Sequence, residues 1–147
     1  MPRNLRLGLA LLAFLMAPRA VSAADGLSVT GAWARPSLGQ SGNSALYFTI
    51  LNAGAADTLV SVAGPDAAQA ELHASVNEDG VAGMRAMSEM PLPPGQTIAF
   101  EPKGNHVMLM GLKRQLQPGD HLTITLRFKS HAPVTLEAAV SMTAPSP

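Results

Sequence analysis

The most constraining feature of this sequence is a strict alternation of apolar and polar residues over residues 121–129. The apolar members are Leu122, Ile124, Leu126 and Phe128, and each is flanked by polar residues. Neighbouring side chains of a β-strand point to opposite faces of a sheet, so the alternation predicts a strand with one face in a core. Residues 134–140 repeat the pattern. We expect Val107 and Leu109 to face inward together with the four apolar residues of the first segment.

Further short strands are predicted over four segments: residues 27–33, 44–51, 58–62 and 98–100. Turn signals lie between the predicted strands, among them the two Pro-Gly pairs Pro94-Gly95 and Pro118-Gly119, which are typical of type II turns. The chain contains 12 Pro and 13 Gly, which argues against long helices. We therefore expect an all-β fold, an antiparallel sandwich or barrel of about seven to nine strands.

The first 23 residues have the layout of a secretory signal peptide. Two arginines among the first six residues precede an apolar run over residues 7–17, and Val21-Ser22-Ala23 suits cleavage before Ala24. The apolar run is shorter than the roughly 20 residues that span a bilayer. We therefore expect an exported protein in which residues 24–147 form a single domain with no membrane span.

The absence of cysteine narrows the possible chemistry. Without a thiol we expect no disulfide, thiolate zinc site, iron–sulfur cluster, cysteine nucleophile or acylated lipoprotein cysteine. The formal net charge is zero and no basic run occurs, so a nucleic-acid partner is not expected. We find no catalytic triad, pair of acids or phosphate-binding loop in a supporting context, and therefore do not expect an enzyme.

Methionine and histidine are clustered in the middle of the chain. His73 and His106 lie in or next to a short window that also holds five of the six methionines after the predicted signal peptide: Met84, Met87, Met90, Met108 and Met110. A single Met is most often a flexible core filler. The cluster therefore indicates a binding site only if its side chains share an exposed face.

The face that carries His73 is predicted from the pattern of residues 69–76, in which His73 falls on the polar side. The pair Asp79-Gly80 predicts a two-residue hairpin turn. Such a turn places Ser75 opposite Met84 and leaves Met84 diagonal to His73, about 7–8 Å away at the backbone. A four-residue loop would place His73 and Met84 directly opposite, and a three-residue loop would break the pairing.

Residues 106–110 read His-Val-Met-Leu-Met. Val107 and Leu109 are expected to face the core. Because successive side chains point to opposite faces of a strand, His106, Met108 and Met110 then share the other face. If Met108 were core packing instead, both faces of this strand would be buried. Two imidazoles and two thioethers are neutral donors, and thioethers favour Cu(I). Methionine argues against zinc, and a blue-copper centre needs a cysteine.

The spacing of these residues resembles a known signature. Ten residues separate His73 from Met84, twenty-one separate Met84 from His106, and one separates His106 from Met108. This spacing is similar to that of the periplasmic copper chaperones called PCuAC. Segments 32–36, 45–52, 71–73 and 105–112 are also similar to that family, and the resemblance covers residues 29–140.

The resemblance implies a cupredoxin-like or immunoglobulin-like β-sandwich that binds one Cu(I) per chain through His73, Met84, His106 and Met108. It also implies a periplasmic carrier that delivers copper for cytochrome c oxidase assembly, with an oxidase subunit or a Sco-type protein as acceptor. Two features depart from the family. Ala74 stands where members often carry a second Met, and the tail offers only Met142, so a second copper in the tail is not expected.

Two other functions also fit these residues. One is a periplasmic copper buffer or resistance protein without a dedicated acceptor, and the other is a β-sandwich assembly module whose methionines are core. Ordinary structural roles are expected for the remaining candidates. We expect His121 and His131 to be solvated, Trp33 to lie in the core and Asn52 to fix a loop. The remaining methionines either provide additional thioether sulfurs around the site or pack as ordinary apolar side chains: Met87, Met90 and Met110.

Overall fold

Ten β-strands account for the regular structure in a computed structural model that describes residues 26–39 and 42–146. They are β1 (Leu27–Ala34), β2 (Ser44–Asn52), β3 (Asp57–Ala63), β4 (Ala67–Glu78), β5 (Val81–Met87), β6 (Met90–Leu92), β7 (Gln96–Phe100), β8 (His106–Leu112), β9 (His121–Phe128) and β10 (Val134–Val140). Every predicted strand is present, and the described residues contain no α-helix. The predicted signal peptide, residues 1–23, lies outside them. Within the described ranges, no helix has the length and apolar character needed to cross a membrane.

The strand count exceeds the expected seven to nine, and β6 shows why. This strand is three residues long and its central residue is Pro91. Proline lacks a backbone N–H, so in sequence it argues against a strand, but an edge strand tolerates it. β6 is such an edge, since it pairs with β3 at one end of the strand order.

Nine strands form one hydrogen-bonded path in the order β5-β4-β8-β2-β1-β10-β9-β3-β6, and β7 joins it through β2. The path folds on itself as an open β-sandwich, so the predicted all-β sandwich is confirmed. The pairings of the described strands are antiparallel except that of β1 with β10, where Trp33 pairs with Ala139 in parallel. This pair corrects the expectation of a purely antiparallel sheet. Alternation of apolar and polar residues predicts which face of a strand is buried, but it does not predict whether the neighbouring strand runs parallel or antiparallel.

The core lies between the inward faces of these strands. Val107 and Leu126 are fully buried, and the other side chains predicted to face inward are also buried: Leu109, Leu122, Ile124 and Phe128. Burial of apolar surface is worth roughly 25 cal/mol per Å², which makes this cluster the main stabilising element. Strand β5 is the exception, because only Met87 packs against the core from that strand.

The β4–β5 hairpin turns at Asp79 and Gly80, as predicted. Their φ angles are 53° and 81°, and a type I′ turn needs positive φ at both positions. Ser75 pairs with Met84, so Met84 is diagonal to His73, as the two-residue turn predicted. β5 forms one end of the strand order and is exposed along almost its whole length. The turn therefore determines which β5 side chains lie on the face of His73.

His131 differs from the expectation of a solvated turn residue. Its Nδ1 lies 2.7 Å from Asp57 Oδ2, and the Asp57 side chain is only 1% exposed. The same carboxylate accepts hydrogen bonds from the backbone N–H groups of Thr58, Ser130 and His131. Burial alone would raise the pKa of Asp57, but these hydrogen bonds outweigh it and hold the pKa below its ordinary value. Asp57 thus ties the start of β3 to the turn after β9, a contact between distant residues that local sequence does not reveal.

Trp33 is buried, as expected, but outside the main core. It contacts Tyr47 with ring centroids 4.6 Å apart. Tyr47 lies between Leu46 and Phe48, which face the core, so Trp33 and Tyr47 cover the opposite face of β2.

Asn52 fixes a loop, as predicted. It is fully buried, and its Nδ2 donates to the carbonyl oxygens of Ala55 and Leu92, both at 2.8 Å. Its Oδ1 accepts the backbone N–H of Gly54. His121 is exposed, which also agrees with the sequence.

Candidate metal-binding site

Two histidines face each other across the β4–β8 pair. His73 and His106 are directly opposite in the antiparallel register, and their ring centroids lie 5.1 Å apart. The adjacent pair, Leu72 with Val107, is buried in the core. Successive pairs point to opposite faces, so both histidines lie on the outer face of the sheet. Alternation predicted the face of each histidine, whereas their direct pairing depends on the register between β4 and β8.

Within the described residues, each imidazole makes a polar contact near its own strand. His106 Nδ1 lies 3.3 Å from the carbonyl oxygen of Gly104. When Nδ1 carries the proton and donates to that carbonyl, Nε2 keeps a lone pair for a metal ion. His73 Nε2 lies 3.3 Å from Glu71 Oε2, and the His73 side chain is 21% exposed. An ion that arrives from solvent can therefore reach this part of the sheet.

Met108 continues the same outer face along β8. It pairs with Glu71 on β4 and with Ala45 on β2, and it is partly buried. It lines a shallow groove of about 280 Å³ whose other walls are Arg35, Pro36, Asn43, Ser44 and Ala45. Its sequence neighbours Val107 and Leu109 occupy the core, so Met108 itself points away from the core.

Met84 approaches the histidines from the edge strand β5. It pairs with Ser75, which places it diagonal to His73 and about 7–8 Å away at the backbone. Its side chain is long and 46% exposed. Met84 therefore lies on the same face as His73, His106 and Met108, on the solvent side of the group.

The other methionines divide between packing and surface. Met90 is buried and Met87 packs against the core, where it pairs with Leu72. For Met87 and Met90, the structure therefore supports ordinary packing rather than a rim of thioethers around the site. Met110 pairs with Gln69 on the outer face and is partly buried. Met142 follows β10 and is 67% exposed.

Two polar residues next to the histidines were not given a role from the sequence. Asn105 Oδ1 accepts the backbone N–H of Ser75 at 3.1 Å, and Nδ2 donates to the Ala99 carbonyl at 3.4 Å. This side chain ties the loop before β8 to β4 just beyond His73. Glu71 contacts His73 and pairs with Met108. The only local signal for either residue was its position in the chain, since Asn105 directly precedes His106 and Glu71 lies two residues before His73.

The donor atoms on this face are imidazole nitrogen and thioether sulfur, with one carboxylate beside them. In the part of the chain that the structure describes, no three His, Cys, Asp or Glu side chains converge to hold a metal ion. Carboxylate-rich sites suit magnesium, calcium and manganese, whereas thioether sulfur selects Cu(I). The arrangement is therefore suited chemically to a soft ion held close to the surface.

Comparison with known proteins places the chain in a family. A family model described as "Putative lipoprotein LpqE-like" matches residues 27–140. A putative lipoprotein of Leifsonia xyli subsp. xyli is 37% identical over 117 residues, which cover 77% of this chain and 69% of that protein.

Two solved structures resemble the whole sandwich. The copper-bound PCuAC domain from PmoF2 has a TM-score of 0.67 at 26% identity, with coverage of 82% of this chain and 94% of that domain. The solution structure of CuI-DR1885 from Deinococcus radiodurans has a TM-score of 0.61 at 30% identity, with coverage of 81% of this chain and 82% of the other. This chain therefore belongs to the LpqE-like family, and the resemblance to the PCuAC proteins inferred from its sequence is confirmed.

Proposed function

We propose that this protein is a copper chaperone that binds one Cu(I) per chain through His73, Met84, His106 and Met108. The observation that carries the proposal is their common outer face, where two imidazoles 5.1 Å apart are flanked by two thioethers. The related domains named above were solved with copper, and one of them with Cu(I). Ligand chemistry leads independently to the same ion, since thioethers favour Cu(I).

The position of the site suits a carrier. Met84 lies on an edge strand and is 46% exposed, so it is the ligand that an acceptor meets first. All four proposed ligands are neutral when they bind, whereas a thiolate is both soft and anionic. Copper is therefore expected to pass to a thiolate-bearing acceptor by stepwise exchange of ligands, with Met84 leaving first and the sandwich unchanged.

We further propose that the protein acts in the periplasm and supplies copper for the assembly of cytochrome c oxidase. The acceptor is then an oxidase subunit or a Sco-type thiol protein, as the PCuAC resemblance implies. The signal-peptide layout of residues 1–23 supports export, and so does the lipoprotein description of the family. Thioethers also suit an oxidising compartment, because they cannot form disulfides as thiols do there.

Anaerobic competition against a coloured Cu(I) chelator tests the binding step. We expect the wild type to take up one Cu(I) per chain and to bind Zn(II) much more weakly. The His73→Gln variant, which loses one imidazole on an exposed face, is expected to bind Cu(I) at least about tenfold more weakly. Stoichiometric zinc retention without a preference for copper would contradict the proposal.

Transfer of copper to a purified Sco-type protein tests the carrier step. We expect Cu(I) to move from the loaded protein to the acceptor faster than it is released to a chelator that makes no protein contact. If both rates are equal, the chain acts as a copper buffer and the proposed delivery is wrong.

A further inference from the structure

We propose that Met84 is a site of reversible oxidation, at which a hydroperoxide converts the thioether to a sulfoxide while the site is empty. The modified protein then binds Cu(I) more weakly but keeps its fold. The inference rests on the proposed copper-binding function and adds a means of regulating the same site.

Exposure separates Met84 from the other proposed sulfur ligand. The Met84 side chain is 46% exposed, whereas Met108 is partly buried and forms one wall of the shallow groove beside Ala45. Met90 is buried and Met87 packs against the core. A peroxide that arrives from solvent therefore meets the sulfur of Met84 before that of Met108.

The edge strand tolerates the change in polarity that oxidation brings. β5 forms one end of the strand order, and each of its residues from Val81 to Ala86 is exposed. A sulfoxide is more polar than a thioether, and an unpaired polar group is costly only where it is buried. At Met84 the added oxygen lies in water, so the sandwich is expected to remain folded. The same oxygen on Met90 would lie in the core.

The reaction is the transfer of one oxygen atom. A lone pair of the Met84 sulfur attacks the peroxide, so that an S–O bond forms and the O–O bond breaks. The sulfur loses two electrons, and the departing oxygen takes up a proton and leaves as water or an alcohol. The product presents a hard oxygen in place of a soft sulfur, which does not suit Cu(I). Methionine sulfoxide reductases reverse the step.

Bound copper is expected to prevent this reaction. The lone pair that attacks the peroxide is the one that a thioether gives to Cu(I). A loaded site is therefore shielded at Met84, whereas an empty one is open to oxidation. Met142 provides the contrast, because it is 67% exposed but follows β10 and belongs to no proposed site. Its oxidation should not depend on whether the site is occupied.

The test treats the metal-free protein with limiting hydrogen peroxide and measures the sulfoxide at each methionine by peptide mass spectrometry. We expect Met84 and Met142 to be oxidised at least about fivefold faster than Met108. After removal of the peroxide, Cu(I) affinity should be at least about tenfold lower, with unchanged far-ultraviolet circular dichroism. Treatment with the two methionine sulfoxide reductases should restore the affinity.

Two variants and a second ion identify the residue responsible. Met142→Leu is the matched control and should lose affinity on oxidation as wild type does, whereas Met84→Leu should show no further loss. Ag(I), a soft ion that keeps its oxidation state under these conditions, replaces Cu(I) in the protection experiment because Cu(I) itself reacts with peroxide. Ag(I) should slow the oxidation of Met84 and leave that of Met142 unchanged.

The inference would be overturned if Met108 were oxidised as fast as Met84, if Ag(I) gave Met84 no protection, or if peroxide weakened Cu(I) binding equally in Met84→Leu. A loss of β-structure that accompanies the Met84 sulfoxide would also overturn it. Untreated Met84→Leu reports separately on the proposed function. If that variant binds Cu(I) as tightly as wild type, Met84 is not a ligand and the proposed ligand set is wrong, whatever the peroxide does.

Discussion

At the scale of single residues, a substitution at Met108 can remove the proposed sulfur ligand while keeping the volume of the side chain. This side chain is partly buried on the outer face, and leucine has a similar volume without the sulfur. We expect Met108→Leu to change the free energy of unfolding by less than about 1.5 kcal/mol. Cu(I) affinity should fall at least about tenfold, because a soft donor is replaced by a hydrocarbon. Urea unfolding and chelator competition measure the two effects.

Met142→Leu is the control for that substitution. Met142 is 67% exposed beyond β10, so neither stability nor copper affinity should change. Equal Cu(I) affinities for Met108→Leu and Met142→Leu would remove Met108 from the ligand set.

The four proposed ligands could be placed on one face from sequence because local rules decide that question. Alternation fixes the faces of His73 and His106, and the Asp79-Gly80 turn fixes the register of Met84. The direct pairing of His73 with His106 could not be predicted in this way. It is set by the register between β4 and β8, two strands far apart in the chain, and no local pattern encodes that register.

At the scale of elements, the β4–β5 hairpin positions Met84 through its turn. Gly80 has a φ of 81° with open space around it, so a valine there is strained without colliding with a neighbour. We expect Gly80→Val to destabilise the hairpin by about 1–2 kcal/mol and to lower Cu(I) affinity, because Met84 loses its fixed place beside His73. Chelator competition and hydrogen exchange over β5 check this expectation.

Gly119→Val provides the matched comparison for the hairpin. Gly119 has a φ of 94° and equally open surroundings, but it lies in the turn before β9. Its substitution should cost similar stability and leave Cu(I) affinity unchanged. A similar loss of affinity in both variants would mean that the hairpin turn has no special role at the site.

A second element-level prediction concerns Asp57, which joins β3 to the turn after β9. Its pKa is lowered below the ordinary value of 3.8, although burial opposes this, because three backbone N–H groups and His131 donate to the carboxylate. A lowered folded-state pKa contributes stability that is present above the ordinary pKa and is lost as pH falls through the lowered one. We expect wild-type stability to drop in acid over that range.

Asp57→Asn tests this assignment by urea unfolding between pH 2 and pH 7. At pH 7 the variant should be less stable by about 1–3 kcal/mol, because buried donors lose their charged acceptor. Its stability should depend less on pH in the acid range, and its Cu(I) affinity should equal that of wild type. If the free energy of unfolding of Asp57→Asn fell as steeply in acid as that of wild type, other carboxylates would be the cause of the pH dependence.

The elements themselves were largely predictable, and the exceptions share a cause. The alternating strands β8, β9 and β10 were predictable because each buries one face more deeply than the other. The proline-containing β6, the parallel β1–β10 pair and the Asp57–His131 contact were not found. Each of these depends on which distant segment lies next to it, which periodicity does not record.

At the scale of the whole molecule, the sandwich is a preformed scaffold and the proposed site lies on its outer face. The core side chains and the proposed ligands point to opposite faces of β8. We therefore expect Cu(I) to bind without changing the far-ultraviolet circular dichroism of the protein. Free Cu(I) at 100 times its Kd should raise the free energy of unfolding by about 2.7 kcal/mol, since only the folded state holds the ligands together. A large gain of β-structure on copper binding would show that the scaffold is not preformed.

X-ray absorption at the copper edge of the Cu(I)-loaded protein identifies the atoms that bind the ion. We predict one copper per chain with both nitrogen and sulfur neighbours, because two imidazoles and two thioethers share the outer face. In Met108→Leu the sulfur contribution should fall while the nitrogen contribution remains. A first shell of nitrogen and oxygen alone in the wild type, or a sulfur contribution unchanged in Met108→Leu, would contradict the assignment of this face to copper.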